Sequence, residues 1–304
     1  MHYLTKLMVV AATATLVACG GGSSSSSDSG TGTLNLSVTD APIDVAEAVW
    51  VEFTGVELKS AGSQLLTIEY ATPKTINLLD LQGSASEPLI SNQTVKAGKY
   101  EWVRLLVNAQ PGILDSYIEF ENGDQVSLLV PSGKQTGLKL INPFFITAGG
   151  LSNITIDFDL RKSVTDPLGR PDYILKPALR IVDNSHVGHV SGIVDRKLFD
   201  QTNCSAGADR NTGVGGAVYL YNKWNVTIDD AGSANPPLTS ALVDLNIGTG
   251  LLDYEIGFVE AGEYTVAFTC ESLDDDPEND NAIIINQAKN ISVVEGQTTN
   301  ANFL

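Results

Sequence analysis

Carboxylates carry most of the chemistry open to this chain. The run Asp274-Asp275-Asp276-Pro277-Glu278-Asn279-Asp280-Asn281 sets acidic oxygens at alternate positions. Asp274, Asp276, Glu278 and Asp280 on one flexible loop would suit a hard, oxygen-seeking cation such as calcium. The run is not an EF-hand, because Asn279 stands where the invariant glycine belongs and Ile285 where the final glutamate belongs. It also reads as a solvated hairpin loop, the preferred account of an acidic run. Asp157 and Asp159 alternate with Ile156 and Phe158, so they share the polar face of one strand with Arg161. Same-face neighbours on a strand lie about 7 Å apart, a spacing that permits paired-carboxylate hydrolysis of a glycosidic bond. Arg161 and Lys162 balance both charges equally well as an ordinary ladder, and that structural reading is the stronger one. His186-Val187-Gly188-His189 has a spacing that turns the two rings to opposite faces of a strand, which disfavours a shared metal. No serine sits in a Gly-x-Ser-x-Gly elbow and no glycine-rich loop precedes a helix. The expectation is a non-enzymatic protein with no catalytic residues, a hydrolase using Asp157 or Asp159 being the alternative.

Cysteine chemistry is confined to Cys19, Cys204 and Cys270. Ahead of the first, Lys6 introduces the apolar run Leu7–Leu16. At about ten residues the run is too short to span a bilayer, which takes about 20, and suits the core of a signal peptide. It ends in Leu16-Val17-Ala18-Cys19, which resembles a bacterial lipobox. The resemblance implies that residues 1–18 are removed and that diacylglycerol on the Cys19 thiol anchors the chain. Gly20, rather than Asp, follows the cysteine. By similarity to sorted lipoproteins of Gram-negative bacteria this favours the outer membrane, on either its periplasmic or its cell-surface side. Residues 19–32 are dominated by glycine and serine, have nothing to bury, and make a flexible tether reaching at most about 45 Å. With Cys19 lipidated, Cys204 and Cys270 remain as an even pair in an exported chain. A bridge between them would close a loop of about 65 residues, worth roughly 4 kcal/mol; two buried thiols are the alternative.

Bulk composition limits the partners. The 304 residues include 18 Lys and Arg against 36 Asp and Glu, for a net charge of −18. So acidic a chain is repelled by phosphate backbones and anionic headgroups, which argues against nucleic acid and against electrostatic membrane binding. A content of 43% hydrophobic and 18% charged residues suits a folded chain long enough for two domains.

These groups must be positioned by strands. Leu34, Leu36 and Val38 alternate with polar residues, as do Val49, Val51 and Phe53, then Val103, Leu105 and Val107, then Ile154, Ile156, Phe158 and Leu160. Such segments bury one face and wet the other, as in antiparallel sandwiches. Only Val45–Ala48 and Asn77–Gln82 suit a short helical turn. A boundary falls near Asp183-Asn184-Ser185-His186, giving one sandwich over residues 33–184 and a second over 187–304.

Several spaced motifs carry a resemblance in the first of these. Leu36-Ser37-Val38-Thr39-Asp40-Ala41-Pro42, Thr54-Gly55-Val56-Glu57-Leu58, the run Val130–Leu140 and Asp157-Phe158-Asp159-Leu160-Arg161-Lys162-Ser163-Val164 resemble the bacterial domain of unknown function 4382. That family implies an exported β-rich domain and no particular activity. Val190-Ser191-Gly192-Ile193-Val194, Val214–Leu220 and Ala261-Gly262-Glu263-Tyr264-Thr265-Val266 more loosely resemble a transthyretin-like or carboxypeptidase-regulatory sandwich, with an insert around Asp195–Thr212. The combined expectation is an all-β, lipid-anchored envelope protein that binds an unidentified protein or glycan, or acts structurally.

Overall fold

The computed structural model describes residues 30–41, 46–131, 137–167 and 169–304. Cys19, the expected leader and most of the expected tether lie outside the described residues. The architecture is all-β, with two sandwiches built on separate hydrophobic cores. Among the described residues, no helix is long and apolar enough to cross a membrane.

Period two builds the strands. In β1 (Thr31–Ala41), Leu34, Leu36 and Val38 are fully buried while Asn35 and Ser37 face away. β2 (Ala48–Ser60) buries Val49, Val51 and Phe53, then Val56 and Leu58. The phase slips by one residue between Phe53 and Gly55, where the register shifts against both neighbouring strands. Such a bulge keeps both apolar sets on the same core. β1 lies between β4 (Glu87–Lys96) and β10 (Leu151–Asp159), and β13 (Leu179–Asp183) completes a four-stranded sheet. A nine-stranded sheet centred on β2 and β5 (Gly98–Asn108) faces it. Phe53 and Phe158 meet edge-on between the two sheets, ring centroids 6.3 Å apart.

β13 ends at Asp183, a 3-10 turn spans Asn184–His186, and β14 (Val187–Val194) opens the second domain. β14 pairs with β18 (Leu251–Glu260) and β21 (Thr298–Asn300). The facing sheet runs β16 (Thr239–Leu242), β15 (Ala217–Asn222), β19 (Gly262–Thr269), β20 (Asn286–Val293). Phe268 meets Phe199 edge-on and Phe303 at a tilt within this core.

Three local features differ from expectation. The sheets are mixed: β1 runs parallel to β10 and β14 parallel to β21. In each domain the opening strand lies beside a late one, and parallel neighbours require such a long connection. The turn expected at Asn77–Gln82 forms at Leu78–Leu81, with the Asn77 side chain capping it; of the turn expected at Val45–Ala48, Val45 lies outside the described residues and Ala48 already opens β2. The strand through Asp157 stops at Asp159, which caps a single helical turn, α1 (Leu160–Ser163). Arg161 therefore leaves the strand face on which its spacing had placed it.

Cys204 and Cys270 form a disulfide, Cα to Cα 4.9 Å. It fastens the turn-rich segment 195–216 to the end of β19, where the Ser205 amide also donates to the Cys270 carbonyl. The bond closes a sequence separation of 66 residues. Replacing both cysteines by serine should lower stability by about 2–5 kcal/mol in denaturant titration. Dithiothreitol should produce the same loss in the parent chain and none in the double variant.

Candidate functional site at the domain seam

The four residues read as a calcium loop do not converge. The loop after β19 places Asp274, Asp276, Glu278 and Asp280 at exposed positions. Asp276 accepts from the Glu278 amide and the Asn279 side chain, and Glu278 pairs with Lys176 at 2.6 Å. Only Asp280 joins a carboxylate cluster, and its companions are Asp229 and Asp230 from the loop between β15 and β16. Nor is the run a free hairpin tip, because its second residue, Asp275, is buried.

Asp275 receives the first domain. The Arg161 guanidinium reaches out of α1 into the second domain, where Nη1 donates to the Tyr219 hydroxyl at 2.7 Å and to Asp275 Oδ2 at 3.3 Å. Its Nη2 donates to the Ser272 carbonyl at 3.2 Å. The Tyr219 hydroxyl donates to Asp275, and the Ala231 amide donates to both Asp275 oxygens, at 3.1 and 3.3 Å. Burial pushes the Tyr219 hydroxyl well above its ordinary range, so it remains a donor. Burial also raises the Asp275 carboxyl, against the pull of Tyr219 and Arg161.

Other basic residues of the first domain make the same crossing. Lys162 Nζ donates to the Pro237 carbonyl at 3.1 Å while pairing with Asp159 at 3.0 Å. Arg180 pairs with Asp157 at 2.5 Å, its partner in the β10–β13 ladder, and reaches the Gly257 carbonyl at 3.5 Å. At Gly257 the chains approach so closely that a Cβ would strike the Gly83 carbonyl. Val182, Val187 and Phe258 add a small apolar cluster to the joint.

The second domain thus closes over one end of the strand face that alternation had assigned to solvent. Thr39, Thr155 and Asp157 are buried on that face, and Asp40, in phase with Leu36 and Val38, is buried beside them at the end of β1. Asp40, Asp157 and Arg180 line, with Thr239, Ser240 and Glu255, a cavity of about 10 Å³, room for about one water. No sugar ring enters such a space, and Asp157 and Asp159 are each held by a cation. The hydrolase arrangement expected of that pair is therefore not built. Neither oxygen of Asp40 meets a well-formed hydrogen bond. Burial, then the charges of Asp157 and Asp159, holds its carboxyl well above the usual range, offset only in part by the amides of Leu160 and Ala41. His186 lies on the exposed turn between domains, and His189 stands edge-on to Phe258, centroids 5.7 Å apart.

Tyr219, Asp230 and Asp40 are not among the site residues expected from the sequence. Asp229-Asp230 in a turn-rich stretch was a visible signal, whereas nothing in Ala217–Tyr221 marks Tyr219 as a hydrogen-bonding anchor.

Residues 31–177 match the family model described as Domain of unknown function (DUF4382). The first domain is a member of that family. No curated protein matches the chain. Among solved structures, a leucine-rich repeat protein from Bacteroides thetaiotaomicron is similar at 12% identity and a TM-score of 0.21, over 90% of this chain and 26% of its own. This chain therefore spans about a quarter of that protein's length. The minor pilin GBS52 of Streptococcus agalactiae is similar at 10% identity and a TM-score of 0.20, covering 88% of this chain and 94% of its own. A cell adhesion protein, so described, from Bacteroides eggerthii is similar at 12% identity and a TM-score of 0.17, covering 90% and 88%. Such TM-scores are too low to equate the folds.

Two outcomes follow from the seam. Arg161→Met should cost on the order of 3 kcal/mol, because it leaves Asp275 buried without its cation; equilibrium unfolding measures this. Asp40→Asn should act in the opposite direction. The folded carboxyl titrates above its unfolded value, so stability is undiminished below about pH 3.9 and is lost as pH climbs through the raised value. The variant should therefore exceed the parent in stability at pH 8, and the gap should close toward pH 4.

Proposed function

We propose that the chain is a lipid-anchored envelope protein acting as a rigid, non-enzymatic module that stands off the outer membrane and presents its sandwiches to a protein or glycan partner. The observation that carries the reading is the seam, where Arg161, Lys162, Lys176 and Arg180 of the first domain all meet acceptors of the second. A protein whose work is display or support needs its domains held in one relation, and scarce basic residues are spent here on that joint. The lipobox-like Cys19 and the glycine–serine tether supply the anchor and the reach. The open groove beside the joint, about 420 Å³ and lined by Arg161, Tyr173, Leu273 and Pro277 among others, offers a concave surface with an acidic rim. The second domain, with its looser resemblance to accessory sandwiches, fits a supporting part.

Membrane fractionation tests the anchor. The parent chain, expressed in a Gram-negative host, should incorporate labelled fatty acid and sediment with outer membranes. Cys19→Ser should abolish labelling and release the protein. Labelling that persists in the variant, or a parent that stays soluble, would contradict the reading.

A further inference from the structure

We propose that Asp229, Asp230 and Asp280 bind a calcium ion that fastens together the two connecting loops of the second domain. One carboxylate oxygen from each residue lies within 4.8 Å of the other two. Calcium bonds oxygen at about 2.4 Å, so one ion reaches across about 4.8 Å without moving the chain; magnesium, at about 2.1 Å, reaches across only about 4.2 Å.

Acidic clusters are common on surfaces, and Asp230 sets this one apart. Its side chain is 1% exposed, and while Oδ2 accepts from the Asn281 amide, Oδ1 has no hydrogen-bond partner. A buried carboxylate oxygen left without a partner is costly, and a cation at the cluster supplies one. Among the described residues no Lys, Arg or His pairs with any of the three: the nearby cations are committed elsewhere, Arg161 to Asp275 and Lys176 to Glu278.

The surrounding backbone is already set. The Asp230 amide donates to Asp229 Oδ1 at 3.1 Å, and the Asp230 carbonyl accepts from the Ser233 hydroxyl at 2.9 Å. Gly232 lies so close to the carbonyls of Asp276 and Asn279 that a Cβ would collide with both. Two ligands come from the loop between β15 and β16 and one from the loop between β19 and β20, so neither loop forms the site alone. Between them the Ala231 amide holds Asp275, the acceptor of Arg161. Calcium here would stiffen the socket into which the first domain inserts its arginine. This goes beyond the rigid-module reading and does not depend on it, since the seam contacts form without the ion.

The experiment is calcium chloride titrated into the full chain after chelator treatment, followed by calorimetry and thermal melting. The expected result is saturable binding of about one ion, with a melting point raised by roughly 5 °C once calcium exceeds its Kd a hundredfold. Magnesium should give a smaller rise. Asp280→Asn alters an exposed side chain that folding does not need, and should weaken binding roughly tenfold or more. Asp229→Asn should do the same, and Glu278→Gln should bind as the parent does. No saturable binding at millimolar calcium would overturn the proposal. So would binding indifferent to both Asp280→Asn and Asp229→Asn, or binding lost in Glu278→Gln.

Discussion

One buried guanidinium decides how this molecule is assembled. Arg161 leaves its own domain and finds a carboxylate, a hydroxyl and a carbonyl in the next. Burying a charge is tolerable only when its donors are met, and a partner taken away leaves the remaining charge stranded. Every element around it therefore has a fixed task. Asp159 must end β10 and cap α1 so that Arg161 can turn outward, and β15 must present Tyr219. The loop after Cys270 must fold back so that Asp275 lies beneath both.

Charge distribution gives the joint its specificity. The chain is strongly acidic, so two acidic domains brought face to face would repel unless the few cations lie between them. Lys162, Lys176 and Arg180 do lie there, each with an acceptor across the boundary. The arrangement leaves Asp40 as the one buried carboxyl at the cavity without a cation of its own, where burial and then the charges of Asp157 and Asp159 hold it above the usual carboxylate range.

Strands and cores were legible in the sequence because alternation is a local property. Leu34, Leu36 and Val38 are buried as their spacing predicts, and the one-residue slip from Phe53 to Val56 marks a bulge. The disulfide was legible by counting cysteines. What covers a polar strand face is not local, and there the reading differed. Thr155 and Asp157 look solvent-facing in any window of the sequence, yet both are buried, and residues of the second domain close over Asp157. The acidic run misled for the same reason. Asp275, which is not among its alternate positions, became the buried anchor, and Asp280 found its companions some 50 residues earlier in the chain, at Asp229 and Asp230, a pairing created only by tertiary folding.

Joined through the Arg161 socket, the two sandwiches should move as one body. Residual dipolar couplings of backbone amides, fitted separately for residues 46–131 and 187–304, test it directly. One alignment tensor common to both domains is the result this structure predicts. Two tensors of different magnitude or orientation would mean that the Arg161 socket does not hold, and would contradict the account.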